Sequence, residues 1–465
     1  MMLEMKSVSF QYADSTEGVY DVNLHVKKGE CVVLTGPSGG GKSTLTRLIN
    51  GLAPAHFSGS MAGSIRINGV NAANLTQWKR GRIVGSVFQN PRSQFFSSEL
   101  AGEIAFAAEN YGLHHDEIVS KTDSAIQAFG LDELRERPID LLSSGEKQRT
   151  AIASVYALSP EIYVCDEPTA NLDDESALEL AKTFSKLKNE GHTLIIAEHR
   201  LAWLAGIVDR VVYVREGRIL WQRTANEMQA LSENERQKNG LRSTVSISAP
   251  NLLPPSGEGV PIVAADTVSV RMSGEAILEN LKFKAWTGQI VAITGRNGVG
   301  KTTFARVLSG LQKENGGRVL LDGKQTPPRK RGTHIWFGSN DTSTQFFTNS
   351  VSEELLLQTK RSEETLEQAR DILKQLGLYA YRDAHPATLS GGQKQRLSIA
   401  CGILSDRDVL LLDEPTSGLD GENMLVIASA LKKFATRGKT VLIITHDYEL
   451  ISECCRWRYH LSNSH

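Results

Sequence analysis

Short apolar runs recur along this chain, each ending in a glycine-rich, acidic or histidine-bearing turn and followed by a stretch with helical spacing. ECVVLT (30–35), IYVCDE ending at Glu167, and TLIIAE (193–198) occupy the first half. QIVAIT, VLLLDE and VLIITH stand in the same order in the second. Runs that stay apolar at every position, rather than alternating, predict strands buried on both faces, hence a mainly parallel sheet covered by helices. The expected fold class is α/β, built twice.

Matched motifs make the duplication explicit. GPSGGGKST (36–44) returns as GRNGVGKTT (295–303), and VCDEPTANLD (164–173) returns as LLDEPTSGLD (411–420). Lys42 and Lys301 lie 259 residues apart, whereas Asp166 and Asp413, like His199 and His446, lie 247 apart, so the second copy is shorter in its middle. Between the copies, residues 241–262 are rich in Ser, Pro and Gly and almost uncharged, as a linker would be. The polar stretch 224–237 before it is compatible with helix. The organisation expected is domain 1 at 1–238, a linker at 239–259 and domain 2 at 260–465.

Composition narrows the function classes. A net charge of −1 over 465 residues suggests no general polyanion-binding role, so nucleic acid is not an expected partner. Five cysteines without C-x-x-C spacing suit neither a zinc site nor a disulfide framework and fit a reducing cytoplasm. The start, MMLEMKSVSFQY, does not read as a secretory signal. No segment approaches the ~20 consecutive apolar residues of a membrane span. If the protein serves a membrane, the pore belongs to other chains.

GPSGGGKST fits G-x-x-x-x-G-K-[ST], in which glycines let backbone N–H groups converge on phosphate at a helix N-terminus. The expected nucleotide-binding residues are Gly36, Ser38, Gly39, Gly41, Lys42, Ser43 and Thr44, with Gly295, Asn297, Gly298, Gly300, Lys301, Thr302 and Thr303 as their counterparts. The lysines would reach the β- and γ-phosphates, and Ser43 and Thr302 would coordinate Mg2+. A glycine-rich turn with an incidental lysine is the bland reading, and two matches at corresponding places defeat it. Asp166 and Asp413, at the exits of apolar strands, suit Mg2+ as hard oxygen ligands. Glu167 and Glu414 beside them would polarise the attacking water, rather than form a merely solvated acidic turn. His199 and His446 follow the next strand. Alone, either would be an ordinary surface or structural histidine, but after a cradle and an acid pair a γ-phosphate contact is the better reading.

LSSGEKQR (142–149) and LSGGQKQR (389–396) precede the acidic strands. With these the chain resembles the ATP-binding-cassette (ABC) family, whose signature is LSGGQ; on its own such a loop would read as a turn and helix cap. The resemblance implies two tandem P-loop NTPase domains, each a parallel-sheet core with a helical signature subdomain. It also implies ATP hydrolysis with Mg2+, and a head-to-tail pairing of each P-loop with the other domain's signature. Ser143 and Gly145, and Ser390, Gly391, Gly392 and Gln393, would then contact nucleotide. Tyr12 resembles the aromatic that stacks on adenine, though a lone Tyr is ordinary in a strand. Gln89 resembles the glutamine that links Mg2+ to a transmembrane partner. Asp173 and Asp420 match the loop through which the domains communicate, though each could equally cap the following helix.

VFQNPRSQFF (87–96) resembles the loop of energy-coupling-factor ATPases, which drive uptake of vitamins and of cobalt or nickel, and AEHR around His199 is similar to tandem members of that group. A peripheral ATPase on the cytoplasmic face of the cell membrane is expected, bound to integral membrane subunits near Gln89 and Phe95–Phe96, unless those aromatics are core. Tandem sugar-importer ATPases are the nearest rival, and a soluble cassette acting on ribosomes or DNA the more distant one. The sites are expected to differ. Met272 stands where Tyr12 does, Asn340 where Gln89 does, and Ser144 and Glu146 replace Gly and Gln in the first signature. The first P-loop, facing the complete second signature, is expected to hydrolyse faster.

Overall fold

The computed structural model describes residues 1–13, 17–170, 172–272, 274–342 and 345–462. The chain divides into two compact units, Met1–Ser246 and Ile247–His465.

In the first unit a six-stranded sheet runs in the order Arg218–Thr224, Arg210–Arg215, Cys31–Thr35, Thr193–Ala197, Ile162–Asp166, Val84–Val87. All neighbours are parallel except the first pair, which is an antiparallel hairpin. Alternate residues of the apolar strands enter two different cores. Cys31, Val33, Tyr163, Cys165, Leu194 and Ile196 pack against Phe184, Leu187 and Ile152 from the covering helices. Val32, Leu34, Ile162, Val164, Ile195 and Ala197 pack against Leu45, Leu48 and Ile49. Double-sided burial is why these strands read as unbroken apolar runs. The second core is closed by an antiparallel sheet ordered Gly18–Val26, Leu3–Tyr12, Gly59–Ile67, Val70–Asn71. Burial of each large aliphatic side chain contributes about 1.5–3 kcal/mol, so Leu45, Leu48 and Ile49 fix the helix Lys42–Asn50 that begins at the phosphate cradle.

The second unit repeats this plan, with a parallel sheet in the order Ile335–Gly338, Val409–Asp413, Thr440–Ile444, Ile290–Thr294, Trp457–His460 and an antiparallel sheet led by Val263–Met272. The separation between equivalent positions falls from 259 at Lys42 and Lys301 to 254 at Gly63 and Gly317, 251 at Val84 and Ile335, and 247 at Ser143 and Ser390. The shortening is therefore shared among three connections.

The segment between the copies is not a plain spacer. Leu241 joins the core of the first unit, and its amide donates to the Arg236 carbonyl. Leu253 bridges Trp457 in the second unit, and the Gln289 amide donates to the Ser256 carbonyl. Backbone groups of an almost uncharged, proline-rich stretch thus find partners at both ends, in the unit to which each end belongs.

Candidate functional site

In each unit the P-loop leaves its strand through a glycine with positive φ, 137° at Gly36 and 151° at Gly295. A Cβ on Gly36 would lie 2.0 Å from the Val214 carbonyl oxygen, and one on Gly295 would lie 2.3 Å from that of Leu461. Only glycine lets the turn pass so close to the neighbouring strand. The lysine that follows is buried and folded into the loop. Lys42 Nζ donates to the carbonyls of Gly36 (3.0 Å) and Pro37 (2.9 Å), and Lys301 Nζ to those of Gly295 (2.7 Å) and Arg296 (2.9 Å).

The hydroxyl after each lysine meets the first acid of its unit. Ser43 Oγ donates to Asp166 Oδ1 at 3.1 Å, and Thr302 Oγ1 to Asp413 Oδ2 at 2.8 Å. Burial, reinforced by the adjacent Glu167 charge, pushes the Asp166 carboxyl up to about 6, and burial raises Asp413 as well. Each pair is an all-oxygen set with a carboxylate held away from water, which fits a hard divalent cation.

Glu167 and Glu414 sit one residue on, both with left-handed backbone, φ 46° and 49°. Their amides are tied to the next strand, Glu167 to the Ala197 carbonyl and Glu414 to that of Ile444, each at 2.8 Å. The side chains are held differently. Glu167 accepts a hydrogen bond from the Gln89 amide at 2.7 Å and lies 3.3 Å from His199 Nε2. Glu414 accepts one from the Thr445 hydroxyl at 3.0 Å, with His446 Nε2 4.0 Å away and turned to Asn297 Oδ1 at 3.1 Å. His199 and His446 are both buried.

At the other side of the first cradle, Tyr12 OH bonds Thr44 Oγ1 (3.2 Å) and accepts from Arg47 (2.9 Å), while Arg47 lies over the Phe57 ring at 4.1 Å. Arg47 and Phe57 also line a cavity of about 290 Å3 that reaches Gln89 and Asp166. In the second unit the matching strand Val263–Met272 ends not on a tyrosine but on Met272, which is 47% exposed.

The two cradles and their acid pairs fall within the ABC transporter family description, which matches residues 19–170 and 278–417, while His199 and His446 lie beyond the matched ranges. The chain belongs to the ABC transporter family. It is an ABC ATPase with two tandem ATP-binding domains. It is 39% identical to an ABC transporter ATP-binding protein of Treponema denticola over 98% of this chain and 94% of that protein. It is 33% identical to a Bacillus subtilis protein named for HMP/thiamine import, over 97% of this chain and 88% of that one. Among solved structures, a ribosome-bound archaeal Pelota and ABCE1 assembly shares the fold, with 23% identity and a TM-score of 0.69 over 98% of this chain and 76% of that one.

The two ABC signatures open helices Ser144–Tyr156 and Gly391–Leu404, and each is a capping box. Ser143 and Ser390 are the N-caps. Glu146 Oε2 accepts the Ser143 amide at 2.7 Å, as Gln393 Oε1 accepts the Ser390 amide at 2.8 Å. Burial pushes the Glu146 carboxyl up, but its Ser143 hydrogen bonds and nearby arginines outweigh this and hold it below the usual range. Glu146 thus directs its charge to its own helix start, and Glu and Gln do the same work there. Ser144 sits at the first helical position. Asp173 and Asp420 cap their helices, accepting the amides of Ser176 (2.9 Å) and Asn423 (2.7 Å). Phe95 joins the core, whereas Phe96 is 74% exposed and stacks on Phe106.

The motifs bring together Lys42, Ser43, Gln89, Asp166, Glu167 and His199 in one unit, and Lys301, Thr302, Asp413, Glu414 and His446 in the other. Sequence reasoning passed over Thr169, Glu198, Thr416, Thr445 and Asp447, which brace these groups. Thr169 and Thr416 are identical residues in paired motifs, a signal available from the duplication itself. Glu103 and Glu354 were also missed. Both are buried, and they accept the amides of Phe96 and Ser97 and of Phe347 and Thr348.

Proposed function

We propose that this ABC ATPase is the motor subunit of an energy-coupling-factor type importer of a vitamin or metal ion, working with integral membrane subunits on separate chains. The observation that carries this reading is a loop with two ends. At one end Gln89 bonds Glu167; at the other Phe96 stands exposed, its amide clamped by buried Glu103. A partner helix seated on Phe96 would act on the loop that holds the hydrolytic acid. The second unit exposes Phe347 over Glu354 in the same way. The Bacillus subtilis relative named for HMP/thiamine import supports the uptake class. Among the described residues no helix is long and apolar enough to cross a membrane, so the translocation path lies elsewhere.

In this reading Tyr12 stacks on the base, Lys42 and the P-loop amides hold the phosphates, Glu167 orients the attacking water and His199 contacts the γ-phosphate. Ser43, Gln89 and Asp166, with Thr302 and Asp413 in the second unit, would hold Mg2+. When bound, the ion neutralises phosphate charge. The signature residues Ser390, Gly391, Gly392 and Gln393 complete the first site, and Ser143 and Gly145 the second. Site 1, with Tyr12 and Gln89, turns over faster than site 2, with Met272 and Asn340.

The test is affinity capture of the tagged chain from detergent-solubilised native membranes, with mass spectrometry and an ATPase assay of the eluate. A small multispanning subunit recovered with ATPase activity supports the motor. Ribosomal or DNA-bound proteins recovered without an integral membrane partner overturn it and leave the ATPase intact.

A further inference from the structure

The loop bearing Glu167 (167–170) and the loop bearing His199 (197–200) are joined at two points in the first unit. One is the backbone bond from Glu167 N to the Ala197 carbonyl. The other is a buried side chain that no motif assigns. Glu198 is 2% exposed and accepts three hydrogen bonds. Oε2 takes the Thr169 hydroxyl at 2.6 Å, and Oε1 takes the amides of His199 at 2.8 Å and Arg200 at 3.0 Å. Its own amide donates to the Leu34 carbonyl, in the strand that leads into the P-loop.

We infer that Glu198 is a positioning residue: it locks the His199 loop to Thr169 and so sets the 3.3 Å approach of His199 to Glu167. This rests on the reading of Glu167 and His199 as site residues.

The second unit makes the same join from the other side of its histidine. There Thr445 replaces Glu198, and the acid is Asp447, one residue after His446 rather than one before it. Thr416, the counterpart of Thr169, donates to Asp447 Oδ2 at 2.6 Å. The Asp447 amide in turn donates to the Thr445 hydroxyl at 3.0 Å. Two arrangements of different residues therefore supply a carboxylate to the same threonine, two residues beyond the same glutamate. A buried acid that served only its own loop would not need a counterpart reaching the same hydroxyl from the opposite side. The units differ in what this leaves at the glutamate. Thr445 also donates to Glu414, whereas in the first unit a second carboxylate stands at that position and Glu167 takes its hydrogen bond from Gln89.

The experiment uses the full chain carrying Glu414→Gln, so that turnover reports the first site, with Glu167→Gln in the same background as control. Glu198→Ala, Glu198→Gln, Glu198→Thr and the pair Glu198→Thr with Arg200→Asp are compared by steady-state ATPase kinetics, each with a thermal unfolding curve. A displaced catalytic loop lowers kcat by about 10–100-fold, with KM for ATP within about threefold. Glu198→Gln keeps a carbonyl oxygen to accept from the His199 and Arg200 amides, while its NH2 donates to the Thr169 hydroxyl in the reverse direction, and activity stays within about threefold. The paired variant, which moves the acid to the second unit's position, exceeds Glu198→Thr by about fivefold or more. Unchanged kcat in Glu198→Ala, KM rising in proportion, a glutamine variant no better than alanine, or no gain from the pair would each overturn the inference. If alanine prevents folding, glutamine against threonine and the pair carry the test. Turnover unaffected by Glu167→Gln would instead remove the reading of Glu167, a separate failure.

Discussion

Replacing Asp166 by asparagine keeps the shape of the side chain and the Ser43 contact while removing a charge that the folded first unit holds at a cost. The carboxyl stands at about 6 in the folded chain, against an ordinary value of 3.8. A raised acid favours the protonated form, so the folded state binds more protons than the unfolded state between those values. Its penalty is absent below about pH 4, grows through the window and is complete above about pH 6. A rise of that size corresponds to about 3 kcal/mol. Asp166→Asn is therefore expected to stabilise the nucleotide-free protein by up to about 3 kcal/mol above neutrality, a rise of roughly 6–12 °C in the unfolding midpoint of a domain this size. Thermal unfolding of both proteins without nucleotide or Mg2+, at about pH 8 and about pH 5, measures it. ATPase activity should be lost in the variant at the same time. A variant less stable than the parent at the higher pH, or a gap that does not shrink at the lower pH, would refute the reasoning.

Other consequences are as direct. Tyr12→Ala is expected to weaken nucleotide binding at the first site by about 5–100-fold, since stacking on a base contributes roughly 1–3 kcal/mol; a fluorescent ATP analogue titrated into the Glu414→Gln protein reads it. Met272→Ala should change binding by less than about twofold in the matching titration. Glu167→Gln is expected to remove more turnover than Glu414→Gln, and equal losses in single-variant ATPase assays would sink the unequal-site reading. Phe96→Ala should leave the ATPase rate of the isolated chain within about twofold while reducing membrane-subunit recovery in the capture experiment. Loss of both, or of neither, would remove Phe96 from the docking surface.

Much of this was legible because the strands are buried on both faces and the chemistry lies at their exits. Val32 and Val33 point into different cores, so the run around them admits no polar residue and announces a parallel strand. Lys42, Asp166 and His199 then follow at fixed places. The antiparallel sheets were less legible, because Leu3–Tyr12 buries only part of its length and its register shifts break the alternation. Distant side-chain partners are harder still. Nothing near Thr169 in the chain says that its hydroxyl meets an acid 29 residues on, and nothing near Thr416 says that the same contact comes from the other side of a histidine. The signature residues gave the opposite lesson. Glu146 and Gln393 differ in charge, yet both turn back to cap their helices, so the substitution changes less than its chemistry suggests.

The left-handed backbone at Glu167 and Glu414 bears on the proposed difference between the two sites. A non-glycine residue held there costs on the order of 1–3 kcal/mol, most of which glycine would recover. Selection for a sturdier fold alone would therefore push the acid out of both positions. A unit that had become a passive nucleotide holder could accept that exchange without loss. The second unit still carries Glu414 against this pressure, with Thr445 and His446 arranged around it. That accords with the proposal of a working acid in both halves rather than of an engine and a clamp.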